Sequence, residues 1–299
     1  MGYYESVFSK LDYRFWIIIM PLIGILLIPS ALNIPLGMDF TGGTEVQILT
    51  ERDVTGPQLE SSLSTCATGI SAIVQSIEGK NSVIIRTKQE MTKECIDSSL
   101  KTLGFTDDEL KSILPTIFKP ELGKILMQQG INAVIIAGIM MSAIIFIAFR
   151  SLVPSLAVMQ AAFFDPMISI GILSLFGFEL NLAGVAAMLM LVGYSVDTDI
   201  LLTSKVLKQQ GKTFAQCVNE AFPTGITMTL TTLSAMGAIL VFTSYISMDT
   251  IHQIASVLFV GLIADMSTTW FTNVGLLKWY TSKHKVVKQS KFNMHLFRS

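Results

Sequence analysis

The chain has 299 residues, 51% of them hydrophobic and only 14% charged, with a net charge of −1 and a mean hydropathy of +0.58. An ordinary soluble domain carries about 25% charged residues, so this composition excludes that class, and the charge balance gives no basic excess that would point to nucleic acid. The three cysteines lack metal-ligand spacing and neither Cys-x-x-Cys nor His-Glu-x-x-His occurs, so neither a metal nor a cofactor is expected.

In chain order, Lys10 and Arg14 precede an apolar run from Phe15 to Leu32, which contains Pro21 and Pro29. At about 1.5 Å per residue that run can cross a hydrocarbon core roughly 30 Å thick. No small-residue cleavage site follows, so it is read as a first span rather than a signal peptide.

Residues 36–124 differ in kind, being turn-rich and alternating, with nine basic and thirteen acidic residues. Strands are expected at Thr44–Thr50, Ser71–Glu78 and Ser82–Thr87, the last two separated by Gly79-Lys80-Asn81. Helices are expected at Pro57–Ala67 and Thr92–Leu103, with a short helix or strand before Pro115. That order suits a small ferredoxin-like α+β module. Five more apolar runs follow, at about Ile125–Phe149, Leu152–Phe176, Leu180–Ser204, Ala221–Ser244 and Ile251–Leu277. The expected fold is therefore a polytopic α-helical membrane protein with six transmembrane helices and an α+β domain inserted between helices 1 and 2. Its divisions are 1–35, 36–124, 125–277 and a basic tail, 278–299.

Six spans place both termini on one side. Outside the insert, all twelve Lys and Arg residues fall on that side: Lys10 and Arg14, Arg150 between spans two and three, Lys205, Lys208 and Lys212 between four and five, and six in the tail. The positive-inside rule makes it cytoplasmic and the insert extracytoplasmic. Cys66 and Cys95, one on each expected helix of the insert, would then face an oxidising compartment, where they form a disulfide or stay as free thiols. Cys217 lies on the other side.

The candidate functional residues lie where charge interrupts apolar sequence. A carboxylate at the centre of a membrane helix costs roughly 2.5 to 3.5 kcal/mol on insertion scales, so retained ones are used or neutralised. Asp165 stands between Phe163-Phe164 and Pro166, with no other charge in its span. It reads either as a proton carrier or as a neutral acid hydrogen-bonded to Ser or Thr of another helix. In Gly193-Tyr194-Ser195-Val196-Asp197-Thr198-Asp199, continuing to Lys205, Asp197 shares a helix face with Leu201 and Lys205. Asp197 is expected to face the bundle interior with Lys205 reaching toward it; the alternative is a snorkelling pair at the interface. Residue counting puts Asp197 in the inner third and Asp165 nearer the middle or outer half. The two are not expected to form one site, and a relay would need water between them, with Asp265 beside Ser267, Thr268 and Thr269 as a further candidate. Asp39-Phe40-Thr41-Gly42-Gly43, at the exit from span one, reads as a fixed junction rather than a moving hinge; its glycines allow positive φ and close backbone approach.

Four motifs in order resemble the SecF branch of the SecD/SecF family, in particular its archaeal form. They are Gly37-Met38-Asp39-Phe40-Thr41-Gly42-Gly43-Thr44, Phe164-Asp165-Pro166 with Ile170-Gly171-Ile172-Leu173, the Gly193–Lys205 stretch, and Thr229-Leu230-Thr231-Thr232-Leu233. The resemblance covers nearly the whole chain. It implies one half of a resistance-nodulation-division type membrane fold and a non-enzymatic role in protein export across the cytoplasmic membrane. SecD, the SecY channel and the translocating polypeptide would be partners in the bilayer, and proton flow through intramembrane carboxylates a source of energy. The chain departs from the bacterial pattern, which reads Gly-Tyr-Ser-x-Asn-Asp-Thr and ends in Asp-Arg: here Asp197-Thr198-Asp199 and Lys205 stand in those places.

Two other classes compete. A stand-alone exporter of small molecules or lipids within the same superfamily would need a second half. An intramembrane aspartyl protease would need Tyr-Asp and Gly-x-Gly-Asp signatures, which are absent.

Overall fold

The computed structural model describes residues 13–50, 54–77, 80–106, 110, 116–208, 212–246 and 248–283. The turn expected at Gly79, the element expected before Pro115, Lys10, and the tail from residue 284 lie wholly or partly outside them.

Helix α1 (Tyr13–Leu32) leads into a single helical turn, α2 (Met38–Thr41), and then into an α+β unit. The unit runs β1 (Gly43–Thr50), α3 (Gly56–Leu63), β2 (Ser71–Ile77), β3 (Lys80–Thr87), α4 (Lys93–Thr102) and β4 (Thr116–Phe118). Its sheet is antiparallel in the order β2-β3-β1-β4. Alternation sets its faces. Val46, Ile48, Val83 and Ile85 pack with Leu59 and Leu63 of α3 and Ile96 and Leu100 of α4, while Glu45 and Arg86, directly opposite in the β1–β3 register, face the other way.

Two boundaries differ from expectation. Ile77 pairs with Lys80, so Lys80 and Asn81 belong to β3 rather than to a turn. Helix α3 stops at Leu63, where the hydroxyls of Ser61, Ser62, Ser64 and Thr65 bond back to earlier carbonyls and compete with continued helix. Cys66 therefore sits in the turn after α3, joined to Cys95 of α4 by a disulfide with its Cα atoms 5.9 Å apart.

The rest is helical: α5 (Pro120–Phe149), α6 (Leu152–Leu175), α7 (Leu182–Lys208), α8 (Phe214–Tyr245) and α9 (Asp249–Ser267), continued by a π-helical segment, Thr268–Asn273, and further helix to Lys283. Among the described residues these five are long and apolar enough to cross a membrane; the apolar part of α1, Ile17–Leu32, is shorter. Several begin outside their apolar runs because caps and prolines set helix ends while hydropathy does not. Pro120 opens α5 from a position where its missing N–H is no loss. Thr213 and Gln216 form a capping box that starts α8 seven residues before Ala221.

Helices α6, α7 and α9 pack into a core through Ile170, Leu173, Ala187, Leu191, Val257 and Leu258. Gly261 admits the Leu191 side chain where a Cβ would stand 2.2 Å from it. Helices α5 and α8 lie at the margin with broad apolar faces exposed, including Ile135, Ile139, Ile144, Leu230, Val241 and Phe242.

Candidate functional site

Three backbone and side-chain contacts tie the exit of α1 to the start of α7, and a fourth ties α7 to α9. Leu180 N–H donates to the Pro35 carbonyl at 2.8 Å, and Gly37 N–H donates to the Leu180 carbonyl at 2.9 Å. The Asp39 carboxylate accepts from Leu182 N–H at 2.9 Å, satisfying one of the free donors of the α7 N-terminus. Gln253 of α9 satisfies another, its Oε1 accepting from Gly184 N–H at 3.0 Å. The glycines are fixed by space and by backbone: a Cβ on Gly37 would meet Asn181 Oδ1 at 1.5 Å, and Gly42, at φ 80°, ends α2. Phe40 is buried, and Gly43 lies against the Thr87 carbonyl. The Asp39–Gly43 motif is thus packed as a junction, and Asp39 contacts the helix that carries the Gly193–Lys205 motif.

Deeper in the bundle, three carboxyl groups from three helices are fully buried: Asp165 on α6, Asp199 on α7 and Asp265 on α9. Ser195 Oγ donates to Asp165 Oδ2 at 2.7 Å. Thr269 Oγ1 lies 2.8 Å from Asp199 Oδ1 and 3.3 Å from Asp265 Oδ1, linking the two acids. Asn273 Nδ2 donates to Asp199 Oδ1 at 2.6 Å. Asp265 is the middle member, within electrostatic reach of both others. One oxygen on each acid, Asp165 Oδ1, Asp199 Oδ2 and Asp265 Oδ2, is buried without a protein hydrogen-bond partner. Among the described residues no Lys or Arg forms an ion pair with any of the three.

The local sequence explains this placement. Pro166 leaves the Ala162 carbonyl without its usual helical donor beside Asp165. The π-helical turn widens α9 by a residue just after Asp265 and brings Thr269 and Asn273 onto the face that meets Asp199; such bulges recur at functional sites. Trp270, in the same turn, packs its ring against Phe222 and over Gly225, where a Cβ would stand 2.5 Å away.

Two expectations are corrected. Asp197 does not face the bundle interior and does not meet Lys205: it is exposed, and among the described residues it makes no hydrogen bond or ion pair. A two-residue offset turns a helix by about 200°, so the packed face of α7 that takes Ser195 and Asp199 excludes Asp197. Lys205 is half-buried and far from the acids along the helix. Nor is Asp199 separate from Asp165: it joins the cluster while Asp197 stays outside it, because Asp265 and Thr269 occupy the gap that counting along α6 and α7 leaves open.

The remaining motif residues are dispersed. Thr198 is buried with its hydroxyl on the Tyr194 carbonyl, while Gly193 and Tyr194 are exposed. In α8, Thr229 is buried and bonds to the Gly225 carbonyl; Thr231 and Thr232 both bond to the Met228 carbonyl and do not reach the cluster. Asn273 and Gln253 were not foreseen. The signal for Asn273 was a polar residue four after Thr269 in an apolar run; Gln253, near the end of its run, gave none.

Residues 96–283 match the family model described as protein export membrane protein SecD/SecF, C-terminal. The chain is 36% identical over 267 residues to the protein-export membrane protein SecF of Methanocaldococcus jannaschii, covering 86% of this chain and 90% of that one. It is 38% identical to the SecF of Methanothermobacter thermautotrophicus, over 81% of this chain and 83% of that one. Among solved structures it superposes on SecDF from Thermus, described as a translocon-associated membrane protein, with a TM-score of 0.64 at 21% identity. That match covers 90% of this chain but 38% of the longer one.

Proposed function

This chain belongs to the SecD/SecF family of protein-export membrane proteins, and we propose that it acts as the SecF-type half of an export accessory, paired with a SecD-type half beside the SecY channel. In this reading α1 completes six spans, both termini are cytoplasmic, and the α+β unit, whose strand order is that of a ferredoxin-like module, stands outside near the emerging polypeptide. The cation placement supports the orientation, and the Cys66–Cys95 disulfide fits an oxidising exterior. No covalent chemistry is assigned to the chain.

The observation that carries the mechanism is the buried trio of Asp165, Asp199 and Asp265. Three carboxyls in one low-dielectric site without a cation cannot all hold charge at once, so the cluster gains and loses protons as a coupled unit. Each change of charge alters how tightly α6, α7 and α9 pack. Helices α7 and α9 are also tied to the exterior unit and its entry, through Asp39, Lys88–Glu179 and Arg86–Asp249. A proton crossing the full membrane releases about 2.3 kcal/mol per 100 mV, enough to bias such a rearrangement.

The test is export of a secretory polypeptide in vesicles containing channel, SecD-type half and this chain, with and without a protonophore. Asp165→Asn, Asp199→Asn and Asp265→Asn are each expected to remove the protonophore-sensitive stimulation, a loss of tenfold or more, while the complex still assembles. Normal stimulation in Asp165→Asn would exclude a titrating role for the cluster.

A further inference from the structure

The buried polar atoms that lack a protein hydrogen-bond partner are not spread evenly along the bundle. The α+β unit stands at the N-terminal ends of α7 and α9, so the C-terminal ends of those helices and the start of α6 form the far end. Between the three acids and the α+β unit, the buried polar side chains are partnered within the chain. Ser169 Oγ donates to the Val257 carbonyl, Ser256 Oγ donates to the His252 carbonyl, Thr243 meets His252, and Gln253 bonds to Gly184 and Glu179. On the far side of the acids, Ser151 Oγ, Ser155 Oγ and Gln160 Nε2 of α6, with Trp270 Nε1 and Asn273 Oδ1 of the π-helical segment, are buried and have no protein partner. The other such atom among the described bundle residues belongs to Asp249, whose carboxylate is paired with Arg86. Packing follows the same division. Leu191 and Gly261 stand one helical turn from Ser195 and Asp265 toward the α+β unit, and they meet: a Cβ on Gly261 would lie 2.2 Å from the Leu191 side chain. Met188, Val257 and Leu258 continue that apolar layer. In the opposite direction, Asn273 extends the hydrogen bonding from Asp199 through its Nδ2 and leaves its Oδ1 unpartnered.

Buried polar atoms are almost always hydrogen-bonded, and water serves those that the protein leaves unpartnered. A buried water itself needs two to four polar partners, which the far side supplies and the apolar layer around Leu191 does not. We propose that water reaches the acid trio from the far end, past Trp270 and Asn273, and that Leu191 seated on Gly261 is the seal that closes the trio toward the α+β unit. The inference rests on the proton-carrying role proposed above and gives it a direction. In this conformation the trio exchanges protons with the far side, the cytoplasm in the proposed orientation, and exchange with the exterior requires α7 and α9 to part at Leu191.

The test is hydroxyl-radical footprinting of the full chain with its partner half in vesicles, where radicals formed from bound water oxidise the side chains beside it. Trp270 and Met188 are both buried, at 3% and 8% exposure, and both side chains oxidise readily, so the comparison reads water and not surface. Trp270 should be modified at least tenfold faster than Met188. Leu191→Ser, which places a small polar side chain at the seal, and Gly261→Ala, which wedges the same contact from α9, should each raise Met188 modification several-fold. Each should also let protons leak into the vesicles under an imposed pH gradient, read with a pH-sensitive dye, and adding Asp165→Asn should stop the leak. Equal modification of Trp270 and Met188 in the wild type overturns the proposal, as does unchanged Met188 modification in both variants. The wild-type contrast needs no substitution and decides the matter if a variant does not assemble. If Asp165→Asn keeps normal export stimulation while the Trp270–Met188 contrast holds, the proton-coupled reading falls and the one-sided access of water remains; loss of the contrast alone leaves that reading standing.

Discussion

Thr269 touches two of the three acids through a single hydroxyl, 2.8 Å from Asp199 and 3.3 Å from Asp265. A hydroxyl has one proton to donate and can accept as well, so Thr269 can donate to whichever acid is charged and accept from the one that is not. Replacing it with valine keeps the shape and removes that exchange. Thr269→Val is expected to leave assembly unchanged and to slow protonophore-sensitive export several-fold, whereas Thr269→Ser should retain most of it; both are read in the vesicle assay. Gly37 makes a contrasting case, since its constraint is space. With Asn181 Oδ1 1.5 Å from the position of a Cβ, Gly37→Ala must displace the α1–α7 junction. A loss of about 1 to 3 kcal/mol is expected from overpacking of this kind, seen as a lower thermal midpoint of the detergent-solubilised protein.

Among the elements, the sheet is held to the membrane helices by ion pairs at two points. Arg86 on β3 bridges Glu45 of β1 and Asp249 at the start of α9, and Lys88 pairs at 3.4 Å with Glu179 just before α7. Partial burial of the Arg86 guanidinium works against its charge, but the hydrogen bond to Glu45 and the nearby charge of Asp249 outweigh that and raise its pKa above the ordinary value. A cation whose folded pKa is raised contributes stability that is fully present below its unfolded pKa and lost as pH rises through the folded one, so Arg86 holds its pairs throughout the physiological range. Partly exposed pairs are each worth about 0 to 1 kcal/mol and weaken with salt. Arg86→Gln is therefore expected to leave the α+β unit folded while increasing hydrogen exchange at the start of α9, and raising salt should increase that exchange in the wild type but little in the variant. None of this was legible in the sequence, because Arg86, Glu179 and Asp249 are ordinary charges at loop and strand positions whose meeting depends on how the sheet docks. Strands β1 to β3 and the two helices over the sheet were legible from their periods of 2 and 3.6, and the apolar helices from the length of their apolar runs, whereas β4, Thr116–Phe118, follows Pro115 and was not. The acid cluster was half legible: hydropathy exposed Asp165, Asp199 and Asp265 as anomalies, but the face each occupies depends on the packing of α6 and α9 and on a π-helical turn that shifts the helical phase after Asp265.

At the scale of the whole molecule, the proposed orientation makes a redox prediction that is independent of the cation placement used to argue it. That reading assigns the cations outside residues 36–124 to one side of the membrane, the disulfide-bearing unit lies at the N-terminal ends of α7 and α9, and buried Cys217 sits near the start of α8, four residues beyond the Thr213 cap. If the orientation is as proposed, oxidation occurs outside and only Cys217 remains a thiol. Denaturing the protein without reductant and treating it with maleimide should label one cysteine, and prior reduction should raise the number to three. Three labelled cysteines without reduction would place residues 36–124 in a reducing compartment and reverse the topology. The crosslink spans a sequence separation of 29 residues, for which the loop-entropy model gives about 3 to 4 kcal/mol of stabilisation. Against the 5 to 15 kcal/mol typical of a whole domain, that is a large fraction for a unit of this size. Reduction is thus expected to lower the unfolding midpoint of the α+β unit while leaving the helical bundle intact, so that hydrogen exchange rises across β1, β3 and α4 before it rises in α6, α7 and α9.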